Sequence, residues 1–122
     1  MFELEKTFHF EAGHSLAHHD GKCRNPHGHS YILTVHIRAK NLIVSGPKTN
    51  MVIDFGDLGK IVNPMIVDYL DHKWLNDTLN SESPTAEYIA KWIYDYLEPR
   101  LPGLSAITLW ETASSKVTYT KD

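Results

Sequence analysis

Phe2, Leu4, Phe8, Phe10 and Ala12 alternate with Glu3, Glu5, Thr7, His9 and Glu11. A period of two is the mark of a strand with one buried face. Ala12-Gly13-His14 ends that run, and Ser15 to Lys22, with His18, His19, Asp20 and Gly21, reads as a loop. The alternation resumes from Ser30: Tyr31, Leu33, Val35, Ile37 and Ala39 form an apolar face, and Thr34, His36, Arg38 and Lys40 look outward. Two such strands joined by one loop most simply pair as an antiparallel hairpin. Asn41 to Asn50, with Ser45-Gly46-Pro47 inside it, reads as a turn.

Past the short apolar piece Met51-Val52-Ile53 the period changes. Leu58, Ile61, Val62, Met65, Ile66 and Tyr69 keep the spacing of one buried helix face, with Asp54 and Asp57 suited to its first turn. Pro64 lies inside this pattern, so the helix is expected to kink or to split into shorter pieces. Ser83-Pro84 is read as an N-cap and first-turn proline for a second helix carrying Ala86, Ile89, Ala90, Ile93, Tyr94 and Leu97. Pro99 and Pro102-Gly103 stop it. Ala106 to Glu111 and Lys116 to Thr120 then alternate again around the link Ala113-Ser114-Ser115. The expected order is β-β-α-α-β-β. It gives an α+β fold, a four-stranded antiparallel sheet with both helices on one face, in a single domain spanning residues 1–122. The opposite face reads as poor in charge, with aromatic and β-branched residues available. Such a sheet leaves two edges, and oligomerisation into a larger closed sheet would cover them.

Composition narrows the partners. A formal charge of −3 without basic runs argues against a general nucleic-acid or membrane-surface binder. The single cysteine suits a reducing, intracellular compartment, and no apolar run reads as a signal or membrane segment, so a cytoplasmic location is expected. The eight histidines are the unusual feature.

Three of those histidines fall where the hairpin's strand ends should meet. His14 closes the first strand; His27 and His29 open the second and, two residues apart, point to one side. Three neutral imidazoles with one open position form the ligand set of a catalytic zinc. His9 and His36 are read as solvated outward positions, and His18 and His19 as loop residues. Cys23 could be a fourth ligand that closes a structural site. Alternatively it is a thiolate, its pKa lowered by the metal and by Lys22 and Arg24, acting as base or nucleophile. Asp71-His72 could be a proton relay, or a histidine that satisfies carbonyls at a helix end. Glu111 could accept two N–H donors from a flat, guanine-like ring, or be a plain edge-strand glutamate.

The motifs Phe10-Glu11-Ala12-Gly13-His14-Ser15-Leu16, Lys22-Cys23, His27-Gly28-His29-Ser30-Tyr31, Met51 to Leu58, Leu70-Asp71-His72, Pro84-Thr85-Ala86-Glu87 and Trp110-Glu111-Thr112 occur in order along the chain. Together they resemble the 6-pyruvoyltetrahydropterin synthase / 6-carboxytetrahydropterin synthase family, and the short Cys23 to His27 spacing is similar to the bacterial carboxy enzymes of the queuosine/7-deazaguanine pathway. The resemblance implies the tunnelling fold, assembled as a homohexamer of two stacked trimers with active sites between subunits. It implies Zn2+ on His14, His27 and His29, with Cys23 as base and Asp71 with His72 as relay. It implies that Glu111, with Thr112, anchors a pterin, and that Lys22, Arg24 and Lys73 meet its triphosphate. The implied reaction converts 7,8-dihydroneopterin triphosphate to 6-carboxy-5,6,7,8-tetrahydropterin with release of acetaldehyde and triphosphate. The alternatives are a 6-pyruvoyltetrahydropterin synthase and a non-catalytic zinc or pterin-binding module closed by Cys23. Gly59, where a charged residue is more usual, and Pro64 depart from the family pattern.

Overall fold

In a computed structural model of the 122-residue chain, the predicted hairpin is the centre of the sheet. Strand β1 (Phe2–His14) pairs antiparallel with β2 (His27–Ala39), in unbroken register from Phe2↔Ala39 to His14↔His27. The alternation read from sequence sets the faces, with Phe8, Phe10, Tyr31, Leu33, Val35 and Ile37 buried. β4 (Leu104–Thr112) lies antiparallel on the far side of β2, and β5 (Ser115–Tyr119) pairs antiparallel with β4.

The sheet has five strands, not four, in the order β3-β1-β2-β4-β5. The added strand, β3, is the dipeptide Lys73–Trp74, and it runs parallel to β1 beside Ala12 and Gly13. Two residues carry no readable alternation, so this edge could not be seen in the pattern. The sheet is therefore mixed.

Helix α1 (Phe55–Met65) starts at Asp54, whose carboxylate accepts from Gly56 N at 2.7 Å and Asp57 N at 3.1 Å. The chain does not break at Pro64. It runs on into one wide turn of π-helix, Ile66–Leu70, closed by Asp71 N donating to Ile66 O at 2.8 Å. That turn delivers Asp71 and His72 to the edge of β1. A third helix outside the expected β-β-α-α-β-β order, the single-turn α2 (Leu75–Thr78), comes next, too short to show a period; helix α3 (Ala86–Leu97) is then capped by Thr85, whose hydroxyl accepts from Tyr88 N at 3.1 Å. The expected Ser83-Pro84 cap is thus displaced by two residues. Pro84 stays outside the helix, and its carbonyl faces His14 at 2.8 Å.

One apolar cluster of 22 buried residues joins β1, β2 and β4 to the inward stripes of α1 and α3, on a single face of the sheet. Burying each large aliphatic side chain contributes roughly 1.5–3 kcal/mol, so this layer holds the strand ends in place. The opposite face departs from expectation, because it is polar and internally paired. Glu3 meets Arg38 at 2.9 Å, Glu5 meets His36 at 2.9 Å, and Thr7 meets Thr34 at 3.1 Å. Nor is His36 solvated. Its other nitrogen lies 2.8 Å from Thr108 Oγ1, which lies 2.9 Å from Thr118 Oγ1. His9 is exposed, as read.

Candidate metal centre and adjoining cleft

The β1–β2 register sets His14 directly opposite His27, with His29 opposite Ala12 on the same face. The coordinating atoms of the three imidazoles all lie within 4.8 Å of one another. Their rings meet edge-on, with centroids 4.5 Å apart for His14–His27, 5.1 Å for His14–His29 and 5.0 Å for His27–His29. Such close approach needs small neighbours. A Cβ on Gly28 would sit 3.2 Å from Ala12 O, so a side chain between the two imidazoles would push the strands apart.

Local hydrogen bonds fix the tautomers. His14 Nδ1 lies 2.8 Å from Pro84 O, and His27 Nδ1 lies 2.8 Å from Asn25 O. A carbonyl only accepts, so each Nδ1 carries the hydrogen and each Nε2 keeps its lone pair. The Nε2 atoms of His14 and His29 are buried without any hydrogen-bond partner. Burial, more than any neighbouring charge, holds both imidazoles below the ordinary histidine pKa, so they stay neutral. Buried, neutral, unpaired nitrogens on one face are what a zinc-type ion requires.

Glu111 lies beside this cluster. Its Oε2 is 3.8 Å from His14 Nε2 and 3.9 Å from His29 Nε2, beyond hydrogen-bond range. It is not a plain edge residue, because β4 is covered by β5 and the pairing is irregular between Trp110 and Thr112. Thr112 is exposed at the strand end, where its hydroxyl accepts from Ser114 N at 3.4 Å.

Cys23 sits in a single 3-10 turn, Lys22–Arg24, and is half-buried between two exposed basic residues. Its sulfur is not among the clustered ligand atoms. The turn is tied to the end of β1 by Leu16 N donating to Cys23 O at 2.8 Å.

Asp71 and His72 are pinned to β1 through Glu11. Asp71 Oδ1 accepts from Glu11 N at 2.9 Å, and His72 N donates to Glu11 O at 2.5 Å. His72 adopts a left-handed φ of 58°, which turns its ring so that Nδ1 lies 3.1 Å from Asp71 Oδ2. The Glu11 N–H, and then His72, hold the Asp71 carboxyl below the usual carboxylate range. His72 therefore contacts a carboxylate and not helix carbonyls, and its side chain is 79% exposed. It lines an open cleft of about 620 Å³ together with Glu11, Gly13, His27, His29 and Trp74; Lys73 is also on its wall.

Two features escaped the sequence reading. Pro84 supplies the carbonyl that orients His14. Tyr31 lies on the apolar face of β2, yet its buried hydroxyl has no hydrogen-bond partner. The available signal was its place two residues after His29, on the same side of the strand.

Comparison with known proteins fixes the lineage. Residues 3–122 match the family model of 6-pyruvoyl tetrahydropterin synthase. The chain belongs to that family. It is 44% identical over 120 residues to the 6-carboxy-5,6,7,8-tetrahydropterin synthase of Synechocystis sp., covering 98% of this chain and 93% of that one. It is 39% identical over 140 residues to the Haemophilus influenzae protein of the same name, covering 98% and 99%. The solved 6-pyruvoyl tetrahydropterin synthase of Caenorhabditis elegans superposes with a TM-score of 0.83 at 26% identity, covering 99% and 96%. Membership of this synthase family makes the chain a lyase and gives it the tunnelling fold.

Proposed function

We propose that the chain converts 7,8-dihydroneopterin triphosphate and water to 6-carboxy-5,6,7,8-tetrahydropterin, acetaldehyde and triphosphate, as a step towards queuosine-type 7-deazaguanines in the cytoplasm. The observation that carries the reading is the set of three convergent imidazoles, two of them with buried, unpartnered Nε2 atoms, in a chain 44% identical to a relative named for this product.

His14, His27 and His29 hold Zn2+. Bound there, the ion supplies Lewis acidity to the oxygens of the substrate side chain, making the adjacent C–H more acidic. Cys23, flanked by Lys22 and Arg24, removes a proton from that carbon as thiolate. His72, oriented through Nδ1 by the Asp71 carboxylate, presents its other nitrogen to give or take a second proton. The Glu111 carboxylate accepts the amide and amino N–H groups of the pterin, with Thr112 beside it. Lys22, Arg24 and Lys73 meet the triphosphate. The protein works as a homohexamer, a dimer of trimers with active sites between subunits, which would cover the sheet edges at β3 and β5.

A 6-pyruvoyltetrahydropterin synthase uses the same groups. The higher identity to carboxy-named relatives, 44% and 39% against 34% for the human protein named 6-pyruvoyl tetrahydrobiopterin synthase, favours the carboxy product. A non-catalytic module closed by Cys23 is disfavoured, because its sulfur lies outside the imidazole cluster. Incubating the zinc-loaded protein with dihydroneopterin triphosphate and identifying the products by mass spectrometry tests the reading. Acetaldehyde with the 6-carboxy product is expected; a 6-pyruvoyl product without acetaldehyde would overturn it.

A further inference from the structure

Tyr31 is fully buried, and its hydroxyl has no hydrogen-bond partner. Its ring is held firmly, stacked on Phe10 with centroids 4.8 Å apart and 14° between planes. On its other side it meets His29 edge-on at 5.5 Å and His14 at 6.2 Å. The phenol therefore packs against the metal centre and not in the remote core.

The β2–β4 ladder ends at Ile32↔Trp110, and Glu111 follows it with Oε2 3.8 Å from His14 Nε2 and 3.9 Å from His29 Nε2, the two imidazoles that Tyr31 packs against. A tyrosine hydroxyl can donate one hydrogen bond, and here it has no acceptor within the chain. A carboxylate offers about four acceptor positions, so Glu111 can take two N–H groups from a flat ring and still accept a third donor. With the imidazole Nε2 atoms committed to a metal, Glu111 is the charged acceptor left on this part of the sheet face. A buried donor with nothing to donate to is retained at a cost unless a bound state uses it.

We propose that Tyr31 is a positioning residue whose O–H locks the Glu111 carboxylate in its binding orientation when a pterin occupies the site. The inference rests on Glu111 being the pterin anchor. It places the specificity contact on a rigid, ring-stacked support inside the β1–β2–β4 face.

Binding of neopterin to the zinc-loaded protein, measured by equilibrium dialysis for wild type, Tyr31→Phe, Glu111→Ala and the double variant, tests it. Tyr31→Phe should bind neopterin about tenfold more weakly, the usual scale for a hydrogen bond to a charged group. Its zinc content should be unchanged. Its ligand-free thermal midpoint should be equal to or above that of wild type, since an unpaired buried hydroxyl has been removed. In the Glu111→Ala background the same change should have no further effect on binding. Tyr31→Phe binding as tightly as wild type would overturn the inference, and so would a loss that adds in full to that of Glu111→Ala. Failure of the wild-type protein to bind neopterin would sink the pterin reading, and this inference with it.

Discussion

The sheet carries two sets of histidines that differ in how their nitrogens are used. On the helix-free face, His36 has Nδ1 at 2.9 Å from the Glu5 carboxylate and Nε2 at 2.8 Å from Thr108 Oγ1. Every polar group in that row has a partner in the same chain. Neutral His36 accepts from the Thr108 hydroxyl and protonated His36 donates to it, with Thr118 following in either sense, so the row stays bonded in both states. At the end of the other face, His14 and His29 keep their Nε2 atoms buried and unpaired, with the orphan hydroxyl of Tyr31 beside them. The same residue type on the same β-hairpin is structural where its hydrogen bonds close internally. It is a site where they are left open for something the chain itself does not supply.

The contrast can be broken by substitution, and the largest effect is expected at the open set. Replacing His29 by Ala should abolish zinc retention in dialysed protein and reduce turnover to background. Loss of even a ligand's hydrogen-bond partner costs about 10–100-fold in metal affinity, and loss of the ligand costs more. Metal analysis of the purified variant checks it; full zinc occupancy would remove His29 from the site. Next in size is Cys23→Ala, which should keep its zinc and lose about 10²–10⁴-fold in turnover, the range of a missing general base. Co-loss of zinc and turnover would place the sulfur on the metal.

A smaller effect concerns Asp71, and its sign follows from the direction of the pKa shift. The folded carboxyl is held below its ordinary value by the Glu11 N–H and by His72. Its stabilisation is therefore present above the unfolded pKa of about 4, and is lost as pH falls through the lower folded value. Urea midpoints of Asp71→Asn should lie below wild type at pH 7 and converge with it in acid. Curves that stay parallel at all pH values would contradict the assignment. Asp71 is 37% exposed, so solvent screens the pairing and the difference should be modest. The smallest effect on function is expected at the closed set. His36→Leu should cost about 1 kcal/mol of stability for its lost hydrogen bonds, with zinc content and turnover unchanged. Lost activity in a folded His36→Leu protein would erase the distinction between the two sets.

The convergence of His14, His27 and His29 was legible because it depends only on a period of two and an antiparallel turn. Both are local properties of sequence. Helices α1 and α3 were legible from their own local period, but the four-residue α2 was too short to show one. What could not be read was set by tertiary contacts. Lys73–Trp74 becomes a strand only because β1 offers a free edge. The cap of α3 moves to Thr85 while the Pro84 carbonyl faces His14. His36 departs from the solvated position expected of it because its partners come from strands 31 and 72 residues away along the chain. Asp71 and His72 were visible as a dipeptide. Their attachment to Glu11 depends on the wide π-helical turn, which the helical period does not announce.

X-ray absorption at the zinc edge of the reconstituted, ligand-free protein tests most directly whether the open set is the metal centre. The predicted spectrum has nitrogen and oxygen scatterers at about 2.0–2.1 Å with the multiple-scattering pattern of three imidazoles, and no sulfur. A sulfur shell at about 2.3 Å, or fewer than three imidazoles, would contradict the division of labour between the three histidines and Cys23.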